Sequence, residues 1–499
     1  MFWQWWRKAT QLTHQASDED IIYPEVKGTV TRESIEEALR DSDDALIKEL
    51  TSNGEKVVLV YLRSMVKKEI LQETVFDPLD RRGDQHPLAV LRLAEPVADD
   101  QLPKVLHMIT SGRTILLFME RNLILSVDTF STNQRNVTAP ESESTVLGPQ
   151  DGFTESLDTN LGLIRMRIHS PHLKVKQLFM GTETRNSLVV VYMENLANPE
   201  NVQRVIQRLK NIEFSGNYGL AVIQQMIEDK PYSPFPQFGL TTRPDNAVAA
   251  LLDARILIMA EGSPEVSICP ATFFEMFASP EDYYNRWWTA SLLRFVRFGG
   301  LFVTTLLTSA YVAVLTYHPE MLPPQLLTIL AESRGKVPFP PVIEVIIIEM
   351  VIEILREAGA RMPTKIGQTI GIVGGIVIGT AVVEAGLASN IVIVLVSVTA
   401  LLSFLPPNYL MSNAVRLVRY YFILAAGLLG VYGQMLVLAF LFAHLLNLTS
   451  LGSPYMTPVV PRRWTDMANS IIRAPMLFQV ARMGMSRARK YLSRPLDEE

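Results

Sequence analysis

Residues 366–388 read IGQTIGIVGGIVIGTAVVEAGLA, an apolar run with Gly367, Gly371, Gly375 and Gly379 at every fourth position. In water this would make a poor helix, because each interior glycine costs about 1 kcal/mol relative to alanine. In lipid the same spacing lays a smooth strip along one helix face, and a second backbone can approach it closely. The stretch therefore reads as a membrane-spanning helix built to pack against other helices.

Outward from it, three more apolar segments emerge. Residues 292–317 form a span that opens with Arg294 and Arg297 behind Trp287 and Trp288. Tryptophans and arginines at a helix end mark the lipid–water interface. Residues 390–406 form a shorter span, and 418–447 a long one loosened by Gly427, Gly430 and Gly433. At 1.5 Å per residue the long spans reach roughly 30 Å or more, enough for a hydrocarbon core.

The segment VIEVIIIEMVIEILRE, 342–357, is different. Its length gives only about 24 Å of helix. It follows Pro338-Phe339-Pro340-Pro341, a suitable helix start. Helical spacing puts Glu349, Glu353, Arg356 and Glu357 on one face and Glu344 on the other, in the first turn, where a carboxylate suits the positive helix end. Two readings stand: a helix on the membrane surface with its acidic stripe in water, or one inside the membrane with that stripe on an aqueous path. Glu384 is a further candidate of the second kind, or else an interfacial carboxylate beside Ser389-Asn390. The candidate pore-lining residues are thus Glu349, Glu353, Glu357 and Glu384.

Topology pulls in two directions. A basic tail (Arg462, Arg463, Arg473, Arg482, Arg487, Arg489, Lys490, Arg494) and a large N-terminal part without a signal peptide argue for both ends on the cytoplasmic side. Four spans with 342–357 re-entrant or interfacial meet that requirement and are preferred. They also place Arg356, Arg361, Lys365, Arg416 and Arg419 outside, against the positive-inside trend. Making 342–357 a true span cures this and strands the tail outside.

The chain has 499 residues and a net charge of −5, which argues against nucleic acid as the main partner. Its organisation reads as an N-terminal α/β subdomain (1–140), a second α/β subdomain (141–285), a transmembrane helical domain (286–450) and a basic cytoplasmic tail (451–499). The fold class is therefore an α/β soluble region followed by an all-α polytopic transmembrane domain. Strands are expected at 57–62, 91–96, 114–120 and 123–129, with helices at 33–50 and 101–110. In the second subdomain a helix at 153–167 precedes strands at 174–180 and 187–193. Helices at 199–211, 218–229 and 245–254 and a strand at 255–262 follow.

No phosphate-binding loop and no nucleophile elbow occurs, and no catalytic constellation has force, so an enzyme is not expected. His169 and His172 flank Pro171, which spoils a helical metal pair; neither metal nor cofactor is expected. Cys269 is the only cysteine, so no intrachain disulfide can form. Trp3, Trp5 and Trp6 with Arg7 and Lys8 suit a membrane surface, and a locally packed or disordered tail equally well. Asn136-Val137-Thr138 matches a glycosylation sequon, as so short a pattern often does by chance.

Several local strings belong together. Gly148-Pro149 with Gly152-Phe153, Asn160 and Arg165 are followed by Pro231 to Pro236 (PYSPFP), Arg243-Pro244-Asp245 and Pro270 to Phe274 (PATFF). Then come Ser279 to Tyr284 (SPEDYY), His318 to Met321 (HPEM), Pro338-Phe339-Pro340 and Arg356 to Gly359 (REAG). In this order they resemble the A subunits of the spore germinant receptors, the GerA family of endospore-forming bacteria. The resemblance covers about residues 145–450, and nothing is carried over to the first 140. It implies a multi-pass protein of the spore inner membrane, working with a transporter-like B subunit and a lipoprotein C subunit or with another membrane partner. It implies A subunits assembled in a ring, for which five copies would suit a small pore, acting as a ligand-gated channel that releases ions early in germination. It carries no catalytic residues.

The leading expectation is an oligomeric gated channel for monovalent cations, with Glu349 and Glu353 on its path and the glycine strip in its helix contacts. A secondary transporter is the first alternative, weakened because no internal repeat is visible. The second is a membrane-anchored scaffold that clusters germination proteins.

Overall fold

The computed structural model describes residues 28–91, 93–130, 140, 143–216, 219–361, 375, 379–467, 469–475, 479 and 482–490. Gly367 and Gly371, the N-terminal tryptophans and the Asn136 sequon lie outside the described residues. The chain divides into two compact units. One comprises Met1–Ser144, Gln150–Ile223 and Thr241–Ser267, the other Thr145–Pro149, Gln224–Leu240 and Ile268–Glu499.

In the first unit, Thr31 caps α1 (Arg32–Ala38) through a reciprocal capping box with Ser34. The expected helix over 33–50 ends there. Asp41 adopts a left-handed φ of 61°, and the chain turns into strand β1 (Ala45–Ser52). β1 pairs antiparallel with β2 (Glu55–Leu62), Ser52 opposite Glu55. Asn53 and Gly54 both have positive φ, 52° and 82°, as a tight hairpin turn demands. The Asn-Gly pair was the readable signal that outweighs helical spacing here.

β3 (Ala94–Val97), α2 (Leu102–Thr110), β4 (Arg113–Phe118) and β5 (Leu123–Asp128) complete a sheet of order β1-β2-β4-β5-β3. Val58, Val60 and Leu62 enter one core with α2, while Val57 and Leu59 enter another on the opposite face. Burial on both faces explains why 57–62 reads as an unbroken apolar run and not as alternation.

α3 (Leu157–Arg165), β6 (Leu173–Met180), β7 (Asn186–Met193), α4 (Pro199–Lys210), α5 (Leu220–Ile227), β8 (Gly239–Thr241), α6 (Pro244–Leu252), β9 (Ile256–Ala260) and β10 (Val266–Cys269) follow. The second sheet runs β6-β7-β9-β10-β8. The edge strand β6 meets the turn before β1: Ser42 bridges Val175, and the Asp43 N–H donates to the Val175 carbonyl at 2.8 Å. Beside this seam Arg165 grips Asp44 with two parallel bonds of 3.1 and 2.9 Å, both side chains buried.

The second unit is dominated by helices: α7 (Trp287–Tyr317), α8 (Pro324–Arg334), α9 (Pro341–Arg361), α10 (Asn390–Leu402) and α11 (Tyr409–Asn447). Among the described residues, α7 and α11 are long and apolar enough to cross a membrane. α9 is longer than its 342–357 core suggested. Its 21 residues reach about 31 Å.

α11 is not one rod. Gly430 takes φ 63° and ψ −143°, outside helical space. A Cβ built on Gly433 would overlap the Ala425 carbonyl. In a straight helix residues eight apart are about 12 Å apart, so the chain folds back sharply. Accordingly Met411 and Phe422 of the first arm (409–429) share a core with Leu445 of the second arm (431–447). The bend frees backbone carbonyls in an apolar setting, and the Tyr317 hydroxyl donates to two of them, Gly427 O at 3.1 Å and Leu428 O at 2.8 Å.

Contacts along the helices fix their directions. α7 starts beside the aromatic cluster of Phe273, Phe274 and Phe277, where Phe298 stacks on Phe274 at 5.6 Å. It ends at the Gly430 bend. α9 begins there, Val342 against Gly427, and runs antiparallel to the first arm of α11, with Glu349 against Arg419 and Glu353 against Arg416. By Gly386 the chain is back at the far end, beside Lys336. α10 descends until Leu402 meets Gly300 of α7. The two arms of α11 then rise and return. The described helices thus make five traverses of the bundle: α7, α9, α10 and the two arms of α11. Its entry and exit lie at one end, where the Phe273 N–H donates to the Tyr455 carbonyl at 3.0 Å.

Candidate functional site

The acidic stripe of α9 meets a row of arginines. Residues at i, i+4 and i+7 share a helix face, so Glu349, Glu353 and Arg356 point to one side. Arg416 and Arg419 of α11 rise to meet them. Arg419 Nη2 lies 2.6 Å from Glu349 Oε2, and both side chains are fully buried. Glu353 stands at the centre of three guanidinium groups. Arg416 Nη1 donates to its Oε2 at 2.8 Å, while Arg356 Nη1 and Arg419 Nη2 lie 3.6 and 3.7 Å from its Oε1.

α10 supplies the floor. Arg356 donates to the Ser403 hydroxyl at 2.9 Å, Arg419 reaches Thr399 Oγ1 at 3.5 Å, and the Arg356 guanidinium stacks over Phe404 with its carbon 4.5 Å from the ring centre. The network is only partly satisfied. Neither oxygen of Glu349 has a well-directed hydrogen bond among the described residues, nor has the Nε–H of Arg356, Arg416 or Arg419.

The other sequence-derived candidates lie elsewhere. Glu357 is exposed and pairs with Arg361 one turn on. Glu384 is also exposed, and the structure does not bring it to the network. Glu344 is fully buried: it accepts from Arg334 Nε at 3.0 Å and from the Ser389 N–H at 2.7 Å, which ties the starts of α9 and α10 to α8. No described atom lies within 4 Å of a Cβ built on Gly375 or Gly379. The arginines of α11 entered the sequence reading only as a topological difficulty. Their spacing of three, inside an apolar helix and opposite a helix with carboxylates at 349 and 353, was the available signal.

Many residues of the recognised strings are structural anchors. Gly148 has φ 103°, and any side chain there would strike the ring of Tyr284. The Asn160 amide accepts from the Thr154 N–H at 2.7 Å and donates to the Thr154 carbonyl at 2.6 Å. Arg243 clasps Asp245 in two bonds of 3.0 and 2.8 Å at the start of α6. Buried Asp282 receives Arg294 and Arg297, each at 2.8 Å, where α7 begins. The first unit holds a half-buried carboxyl as well: Glu143 accepts from the Thr241 hydroxyl at 2.7 Å and the Thr242 N–H at 3.0 Å. Burial pushes it above the usual carboxylate range, against those bonds and nearby Arg243.

The family model described as "Bacillus/Clostridium GerA spore germination protein" matches residues 33–485. Spore germination protein GerQA of Bacillus cereus is 38% identical over 458 residues, covering 91% of each chain. Spore germination protein A1 of Bacillus subtilis (strain 168) is 36% identical over 449 residues, 88% of this chain and 92% of that one. Among solved structures, the N-terminal domain of the A subunit of the Bacillus megaterium spore germinant receptor GerK3 is 24% identical, covers 50% of this chain and 98% of that chain, and superposes with a TM-score of 0.38. Matched through both its units, the chain belongs to the GerA family of spore germination proteins.

Proposed function

We propose that this chain is a multi-pass membrane subunit of a spore germination complex, and that several copies enclose a gated passage releasing monovalent cations. The observation that carries the reading is α9, a helix about 31 Å long that bears carboxylates along one face. Glu357 and Glu384 are the exposed candidates for such a passage, Glu353 is a quarter exposed, and Glu349 stands behind Arg419 as a buried counter-charge. The glycine strip supplies the contact between copies, its every-fourth spacing suiting the close approach of another backbone.

The directions of the described helices also ease the conflict over charge. Arg356, Arg361, Arg416 and Arg419 then lie toward the end of the bundle where the basic tail emerges, as positive-inside asymmetry favours for a cytoplasmic end. As family membership suggests, the partners are a transporter-like B subunit and a lipoprotein C subunit, or another membrane protein in their place, in the spore inner membrane. A broken membrane helix also marks transporter sites, but Tyr317 already occupies two of the carbonyls freed at Gly430, which favours a turn over an ion ligand.

The full chain, purified and placed in planar bilayers, should conduct potassium and sodium in preference to chloride, and Glu357→Gln should lower that preference. Absence of any conductance would overturn the channel reading.

A further inference from the structure

We infer that the arginines facing α9 form a releasable clasp: Arg416 and Arg419 hold Glu353 and Glu349 in a closed arrangement, and α9 moves only when those pairs part. This rests on the channel reading above and names the regulation of the same site.

One chemistry occurs in this chain in two geometries. Asp44 and Arg165 join through both oxygens and two guanidinium nitrogens, at 2.9 and 3.1 Å, fully buried. That planar two-point pairing is the strong form, and removing one partner of such a buried pair is strongly destabilising. The membrane network has the same kinds of groups arranged otherwise, with Glu349 and Arg419 as deeply buried as Asp44 and Arg165 and the other members partly exposed. One carboxylate, Glu353, is shared by three guanidinium groups, with only one contact under 3 Å. Glu349 and Arg419 are in ionic contact without a well-directed bond.

The charges also fail to balance, with Arg356, Arg416 and Arg419 set against Glu349 and Glu353. A surplus positive charge in a low-dielectric bundle is costly. A second arrangement, in which Glu353 leaves this centre or water enters it, is therefore close in energy to the first. The clasp sits where it can control movement. It joins α9 to α11 and, through Ser403 and Thr399, to the end of α10. Tightly packed helices switch between discrete arrangements and do not deform smoothly.

The test uses the full chain in liposomes, with Cys269 replaced by serine and spin labels on the exposed residues Met350 of α9 and Leu417 of α11. Wild type should give one narrow distance distribution. Glu353→Gln and, separately, Arg416→Gln should add a second, longer population and raise basal potassium leak about tenfold, the shift that roughly 1.4 kcal/mol of lost pairing produces. The exchange Glu353→Arg with Arg416→Glu should restore the narrow distribution and the low leak. That rescue distinguishes a clasp from simple misfolding of the single variants. Unchanged distances in both single variants would overturn the clasp, whatever the conductance. A second distance population without leak in any variant would support the clasp and sink the channel reading.

Discussion

Single residues in this chain do different work according to what surrounds the same functional group. Asp44 is fully ion-paired and Asp282 serves two arginines, whereas Glu143 is half-buried among hydroxyl and amide donors. Because burial raises its proton affinity, Glu143 binds a proton more tightly in the folded chain than in the unfolded one. Its contribution to stability is then fully present below the unfolded carboxylate pKa and is lost as pH rises through the raised folded value. Glu143→Gln removes that dependence. The difference in thermal midpoint between variant and wild type should move in the variant's favour as pH rises from about 4.5, the top of the usual carboxylate range, toward neutrality. A difference that stays constant over that interval contradicts this account of Glu143. None of this was legible in the sequence, because Glu143 meets Thr241 and Thr242 only through the fold. Gly148 is the converse case. It and Tyr284 stood out within recognisable strings, and the structure supplies the reason in a contact that only a residue without a side chain permits.

Among elements, those decided by local pattern were readable, and those decided by a single turn were not. The strands at 57–62, 114–120 and 187–193 carry apolar runs, those at 123–129 and 174–180 mix apolar with polar residues, and each is a strand. β1 was hidden because ALIKELTS also satisfies helical spacing; the Asn53-Gly54 turn settles it. The same holds for α11, whose apolar run continues through its own reversal. Three glycines within seven residues were read as loosening. Only the positive φ of Gly430 and the close approach of Gly433 to Ala425 turn that into a hairpin. The hairpin makes a sharp prediction about access. In a variant with Cys269 replaced by serine, single cysteines at Asn408 and Thr449 should react with a membrane-impermeant thiol reagent from the same side of a sealed vesicle. A cysteine at His318, beside the bend, should react from the other. Labelling of positions 408 and 449 from opposite sides would mean that α11 crosses the membrane as one rod.

At the scale of the whole molecule, the division into an α/β part and a helical part follows from composition, since only residues after about 290 carry long apolar stretches. The candidate site was half legible. The carboxylates of α9 announce themselves, but their partners Arg416 and Arg419 lie some seventy residues on, and an antiparallel pairing across that distance has no local signature. The proposed passage uses the glycine strip as the contact between copies. The account therefore stands or falls on several copies closing around one path. Native mass spectrometry of the full chain, released from mild detergent, measures this directly. The predicted result is one dominant species at a fixed multiple of the 56.0 kDa chain mass. A dominant species at the mass of a single chain, in detergent that preserves its helical content, would contradict it.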